Sequence, residues 1–213
     1  MEQKTILFDL DGTLTDSGPG IMNCAELALR HFQLPIPDRD LMREFVGPPL
    51  HDTFIKFGVP ANRTEEAISV YRSRYTTVGL YENAPYPGIE SLLQSLQKQG
   101  HRLLVATSKP EGMAKKILEH FKLSVFFDEI CGASLDRSRS TKEDVIAYLL
   151  PKCANDRPMI MVGDTAFDVT GAAAHGIPAI GVAWGYGKVA DMVAAGAKAI
   201  AYDTAELFHL LSE

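Results

Sequence analysis

The residues able to do chemistry in this chain gather in four short segments. Two carboxylates stand two apart in Asp9-Leu10-Asp11-Gly12-Thr13, and hydroxyls precede a lysine in Thr107-Ser108-Lys109. A second lysine lies in Thr141-Lys142, and two more carboxylates stand four apart in Gly163-Asp164-Thr165-Ala166-Phe167-Asp168. Carboxylates can act as nucleophiles and as proton donors or acceptors. Four of them in one place repel each other unless a cation joins them. An oxygen-only set suits a hard ion, and Mg2+ fits best because it takes one or two carboxylates plus substrate phosphate. Taken singly, each segment has a plainer reading: a loop, a turn, a solvated helix lysine. What weighs against the plain readings is where the chain must put these segments.

Thr5-Ile6-Leu7-Phe8 is a short apolar run ending at the first carboxylate pair, and it reads as a buried strand opening into a polar loop. Similar runs recur at Arg102–Ala106, Val125–Cys131, Met159–Val162, Ala179–Ala183 and Ala199–Ala201. Helical patterns alternate with them at Ile89–Gln99, Glu111–Phe121, Lys142–Pro151, Ala166–His175 and Val189–Ala195. That alternation predicts an α/β fold, a Rossmann-like three-layer parallel sheet covered on both faces. In such a sheet ligands sit beyond the carboxyl ends of the strands, at the topological switch point. All four chemical segments fall at strand ends or at the start of the helix that follows, so they converge on one edge.

Residues 16–84 break the rhythm. Pro19–Phe32, Arg39–Phe45, Leu50–Phe57 and Arg63–Val78 read as helices punctuated by Pro35, Pro37, Pro48, Pro49 and Pro60. A helical domain (16–84) is therefore inserted after the first strand of a core made of 1–15 and 85–213. Asp16–Pro19 and Asn83–Pro87 are the natural hinges.

Composition narrows the function classes. With 213 residues the chain is long enough to bury roughly 70% of its unfolded surface. Its 46% apolar and 23% charged content excludes disordered and fibrous classes. A net charge of −6 and a pI near 5.5 argue against nucleic acid as a partner. Cys24, Cys131 and Cys153 are too few and too scattered for a disulfide framework or a zinc site, which suits a reducing cytoplasm. The longest uncharged stretch, 169–187, is broken by five glycines and Pro178, so no membrane span is expected.

The order Asp9-Leu10-Asp11-Gly12-Thr13, Thr107, Lys142, Gly163-Asp164…Asp168 resembles the haloacid dehalogenase superfamily. The insertion is similar to its C1 helical cap. Asp16-Ser17 and Val46-Gly47-Pro48-Pro49-Leu50 bring it closest to the phosphoglycolate-phosphatase-like branch. The resemblance implies a Mg2+-dependent hydrolase of small soluble phosphomonoesters. Asp9 would be the nucleophile and Asp11 the general acid and then base. Thr107, Ser108 and Lys142 would bind the phosphoryl group. Asp9, Asp11 (through its carbonyl) and Asp164 would ligate the metal, with Asp168 behind them. Asp11 points to phosphate esters, since halide departure needs no proton.

Ser140-Thr141-Lys142-Glu143-Asp144-Val145 replaces the Lys-Pro-x-Pro of phosphoglycolate phosphatases, and Ser108 stands where they often carry Asn. Phosphoglycolate-like substrates and nucleoside monophosphates, as for a 5′-nucleotidase, thus stay open. A phosphomutase of the β-phosphoglucomutase type and a non-catalytic regulatory module are the alternatives, and monomer or dimer is undetermined. Trp184-Gly185-Tyr186-Gly187 either lines the site mouth or packs a strand end. Arg43, Arg72, Arg74 and His51 read as solvated cap residues, and Cys24 as a small core residue. The cap segment nets −2, with nine acids and seven bases, and the four aspartates named above account for most of the remaining acidity.

Overall fold

The computed structural model describes residues 2–136, 138–153 and 157–212. Its elements run β1 (Thr5–Phe8), α1 (Gly18–His31), α2 (Arg39–Met42), α3 (Leu50–Lys56), α4 (Thr64–Arg74), α5 (Ile89–Lys98), β2 (Arg102–Pro110) and α6 (Glu111–His120). They continue with β3 (Glu129–Ala133), α7 (Lys142–Leu149), β4 (Met159–Gly163), α8 (Ala166–Ala173), β5 (Ala179–Val182), α9 (Val189–Ala194), β6 (Ala199–Ala201) and α10 (Thr204–Ser212). The chain divides into two compact units, Met1–Thr15 with Pro85–Glu213, and Asp16–Ala84.

The six strands of the first unit form one parallel sheet in the order β3-β2-β1-β4-β5-β6. Strands buried on both faces must be apolar throughout, and β1 is buried at every position. Because side chains alternate between faces, Leu7, Leu104, Ala106 and Met161 share one face. There they pack against Val145, Ile146 and Leu149 of α7, Val169 and Ala172 of α8, and Met192 of α9. From β1 the strands are added outward on one side as β2 and β3 and on the other as β4, β5 and β6, so the switch point lies at β1. Phe8 pairs with Val105 and with Val162, which puts Asp9 level with Ala106 and Gly163 at that point.

The second unit is helical. α1 buries Ile21, Cys24, Ala25, Ala28 and Leu29 on one stripe, and α4 packs along it. α4 does not run on as a single helix: after Arg74 the backbone loosens into a π-helical turn, Tyr75–Gly79. Arg74 is not a solvated helix arginine. Its guanidinium forks onto Glu82 at 2.6 and 2.7 Å, and its Nη1 also lies 3.3 Å from the Cys24 sulfur, bracketing the π-turn.

Two strand expectations shift. Val125 belongs to a 3-10 turn, Ser124–Phe126, and is 75% exposed; β3 begins only at Glu129. Lys122 adopts φ 57° and Leu123 N–H closes α6 onto Leu118 C=O; Phe126 N–H then turns back to Leu123 C=O, so only the end of this run, from Glu129, joins the sheet. Conversely β2 continues through Thr107, Ser108 and Lys109 to Pro110. Cys24, Cys131 and Cys153 form no disulfide. Among the described residues no helix is long and apolar enough to cross a membrane.

Candidate active site

Asp9 leaves β1 with its N–H donating to Val162 C=O at 2.9 Å, so the strand pairing itself sets where its carboxylate begins. Gly12 then turns the chain with φ +84°, and a Cβ there would lie 2.2 Å from Asp164 Oδ2. Only glycine lets the first loop approach Asp164 so closely. On the other side of the switch point, Asp164 follows β4. Its Oδ1 accepts from the Thr13 hydroxyl at 3.3 Å and its Oδ2 from the Tyr186 N–H at 2.8 Å. Trp184 Nε1 donates to Thr13 C=O at 3.1 Å. Trp184 therefore braces the first loop.

Lys142 opens α7 behind a capping box in which Thr141 Oγ1 accepts from Asp144 N–H and Asp144 accepts from Thr141 N–H. The cap fixes the helix start and sends the lysine inward. Its side chain is only 3% exposed, and its Nζ lies 2.8 Å from Asp9 Oδ1, 2.7 Å from Asp168 Oδ1 and 2.8 Å from Ala106 C=O. Asp168 sits in the first turn of α8, where its Oδ2 accepts from both the N–H and the hydroxyl of Thr165. Asp9, Asp164 and Asp168 each present an oxygen within 4.8 Å of the others, all buried.

Burial pushes the Asp164 carboxyl well above the ordinary carboxylate range, and the charges of Asp168 and Asp9 push it further. Asp9 is raised by burial too, only partly offset by Lys142. Burial by itself would lower the Lys142 ammonium, but Asp168 and Asp9 outweigh that and hold it above its usual value. With all three carboxylates ionised, as a bound cation would hold them, one ammonium would leave two negative charges in excess, and an all-oxygen donor set of that charge fits a divalent cation. Both oxygens of Asp168 are engaged, Oδ1 by Lys142 and Oδ2 by Thr165, as are both oxygens of Asp164 by Thr13 and Tyr186.

The Asp11 carboxylate does not join this cluster. It faces Lys109, whose Nζ donates to Oδ1 at 3.0 Å and Oδ2 at 2.9 Å. Spacing assigns Lys109 of the Thr107-Ser108-Lys109 run no role; its position past the expected strand end, beside the carboxylate loop, is the only signal. The two lysines also correct the reading of the net charge, because they already neutralise half of the four-aspartate group. Thr107 is buried and accepts from Lys109 N–H at 3.2 Å, and Ser108 is half-buried beside it. His51 lies exposed next to Asp52 in the second unit.

The family model for haloacid dehalogenase-like hydrolases matches residues 6–182. The chain belongs to that family. Its relatives include the tyrosine-protein kinase PtkA of Mycobacterium tuberculosis, 46% identical over 194 residues, which are 89% of this chain but 65% of the relative. The chain thus spans less than two thirds of PtkA's length. A 5′-nucleotidase of Pseudomonas aeruginosa is 40% identical over 190 residues, covering 88% of this chain and 86% of the relative. Among solved structures, a predicted phosphatase from Clostridium acetobutylicum matches with TM-score 0.93 and 42% identity, covering 100% of this chain and 99% of the other.

Proposed function

We propose that this protein is a Mg2+-dependent phosphatase of small phosphomonoesters, nucleoside monophosphates or phosphoglycolate-like compounds, acting through a phosphoryl group carried on Asp9. The observation that carries the reading is the buried Asp9 carboxylate, held by Lys142 at the switch point next to Asp164 and Asp168. Phosphoryl transfer asks mainly for positioning and for stabilisation of charge. Asp9 would attack phosphorus and expel the alcohol, while Asp11 gives the leaving oxygen a proton. Asp11 would then take a proton from the water that displaces phosphate from Asp9. Thr107 and Ser108, at the end of the neighbouring strand, would receive phosphoryl oxygens, and Lys142 would offset their charge. Asp9, Asp164 and the Asp11 carbonyl would hold Mg2+, which when bound would add positive charge against the phosphoryl oxygens. The 5′-nucleotidase relative supports the substrate class.

The test is phosphate release from p-nitrophenyl phosphate and a panel of nucleoside monophosphates, phosphoglycolate and sugar phosphates, with Mg2+ and then with EDTA. Asp9→Asn should abolish release at unchanged melting temperature within a few degrees. Near-full turnover by Asp9→Asn would refute the nucleophile. Isomerised sugar phosphate formed without free phosphate would instead favour a mutase, because the same phosphoryl-Asp9 can be discharged to an alcohol.

A further inference from the structure

Lys109 is a buried cation outside the carboxylate cluster, and the backbone is built to aim it. Along β2 and β3, Thr107 pairs with Gly132 but the next pair is Pro110 with Ala133. Ser108 and Lys109 thus have no opposite number, and β2 bulges there. Bulges re-aim side chains next to sites. The bulged backbone presses onto the neighbouring strand so closely that a Cβ on Gly132 would lie 2.5 Å from Lys109 C=O and 2.8 Å from Glu111 Cα. The Lys109 N–H turns onto the Thr107 hydroxyl at 3.2 Å. The result is a lysine side chain 5% exposed whose ammonium meets both oxygens of Asp11, itself 12% exposed.

We infer that Lys109 is a positioning residue for Asp11, fixing the carboxyl so that its proton is aimed at the leaving oxygen. This deepens the phosphatase reading and rests on it. Lys142 is committed to Asp9, Asp168 and Ala106 C=O, so Asp11 has its own cation. A protonated carboxyl keeps an acceptor oxygen. Lys109 can therefore hold that oxygen while the O–H faces away. In the transfer step the Asp9–phosphorus bond forms and the ester P–O bond breaks. The bridging oxygen takes the Asp11 proton and departs as the alcohol, leaving Asp11 as the carboxylate that Lys109 pairs with. When water attacks, its proton returns to Asp11, and phosphate leaves Asp9.

The experiment compares kcat/KM for phenyl phosphate, whose leaving group needs a proton, with p-nitrophenyl phosphate, whose leaving group needs little help. Wild type, Lys109→Met, Lys109→Arg, Asp11→Asn and the Lys109→Met/Asp11→Asn double variant are assayed with Mg2+. General acid catalysis is worth about 10²–10⁴-fold, so Lys109→Met should lose about 10-fold more on phenyl phosphate than on p-nitrophenyl phosphate. Lys109→Arg should fall between Lys109→Met and wild type. In the Asp11→Asn background, Lys109→Met should add no further leaving-group sensitivity. Equal loss on both substrates would overturn the inference and give Lys109 a role in phosphoryl binding or in the fold. If Lys109→Met fails to fold by circular dichroism, the Lys109→Arg comparison decides in the same way. A wild type inactive on both esters takes away the phosphatase reading and this inference with it, whereas an active wild type with a flat Lys109→Met loss overturns the inference alone.

Discussion

Replacing Lys142 with methionine keeps the length of the side chain and removes its charge from the centre of the site. The lysine is 3% exposed and touches Asp9 at 2.8 Å and Asp168 at 2.7 Å, so both carboxylates lose a buried partner at once. Removing one member of a buried ion pair costs about 3–5 kcal/mol, because the other charge stays behind unpaired. Two carboxylates within 4.8 Å of each other repel by roughly 3–4 kcal/mol at an effective dielectric near 20. Uptake of protons by the abandoned carboxyls caps the loss. At ~2–4 °C per kcal/mol for a chain of this size, Lys142→Met should melt on the order of 10 °C lower. The second consequence is less obvious. A divalent cation at this cluster would draw on the same carboxylates as Lys142, and removing the lysine would raise the formal excess from two to three negative charges. Mg2+ should then raise the melting temperature of Lys142→Met more than that of wild type, since a ligand stabilises by its affinity for the folded state. Scanning calorimetry with EDTA and then with graded Mg2+ measures both. A variant melting within about 2 °C of wild type, with an unchanged Mg2+ increment, would refute the electrostatic account of the site.

His101 gives a pH signature remote from the site. Its Nδ1 accepts from the Lys4 N–H at 3.0 Å and its Nε2 lies 3.2 Å from Gln99 Oε1, the pattern of a neutral ring. Burial, then the charges of Lys4 and Arg157, hold it below the ordinary histidine range. A depressed folded value means the unfolded chain binds the proton more readily, so this stability is whole above about pH 6.5 and is lost as pH falls below it. Melting temperatures taken from pH 8 to pH 5 should drop on the acid side in wild type and drop less in His101→Gln; parallel curves would exclude the assignment. Gly12→Ala should cost about 1–2 kcal/mol for its left-handed backbone alone and displace Asp164, from whose Oδ2 the new methyl would stand 2.2 Å. The Mg2+-induced rise in melting temperature should shrink with it, and an undiminished rise would show that Asp164 does not depend on this approach.

Much of the molecule is legible from local pattern. The continuous apolar run at residues 5–8 is a strand buried on both faces, and the alternation after residue 86 is a parallel sheet. Local pattern failed where apolar content and backbone pairing part company. The run from Val125 reads as strand by composition, yet Phe126 and Phe127 N–H bond back to Leu123 and Ser124 C=O and hold its first residues in a turn. Arg63–Val78 reads as one helix, yet the bidentate Arg74–Glu82 pair accompanies a π-turn that periodicity does not encode.

The sequence by itself determined the types and order of the chemical groups and the strand ends that carry them, because a run of apolar residues ending in Asp-x-Asp or Gly-Asp admits few other placements. Only the tertiary structure decided which charges meet. Asp9 and Asp11 are two residues apart, yet Lys142 pairs with one and Lys109 with the other. Those partners are separated by more than ninety residues of chain from the carboxylates they hold, and a bulge opposite Gly132 aims one of them. Ion pairing over such separations depends on register and burial across the sheet, which spacing along one strand does not contain.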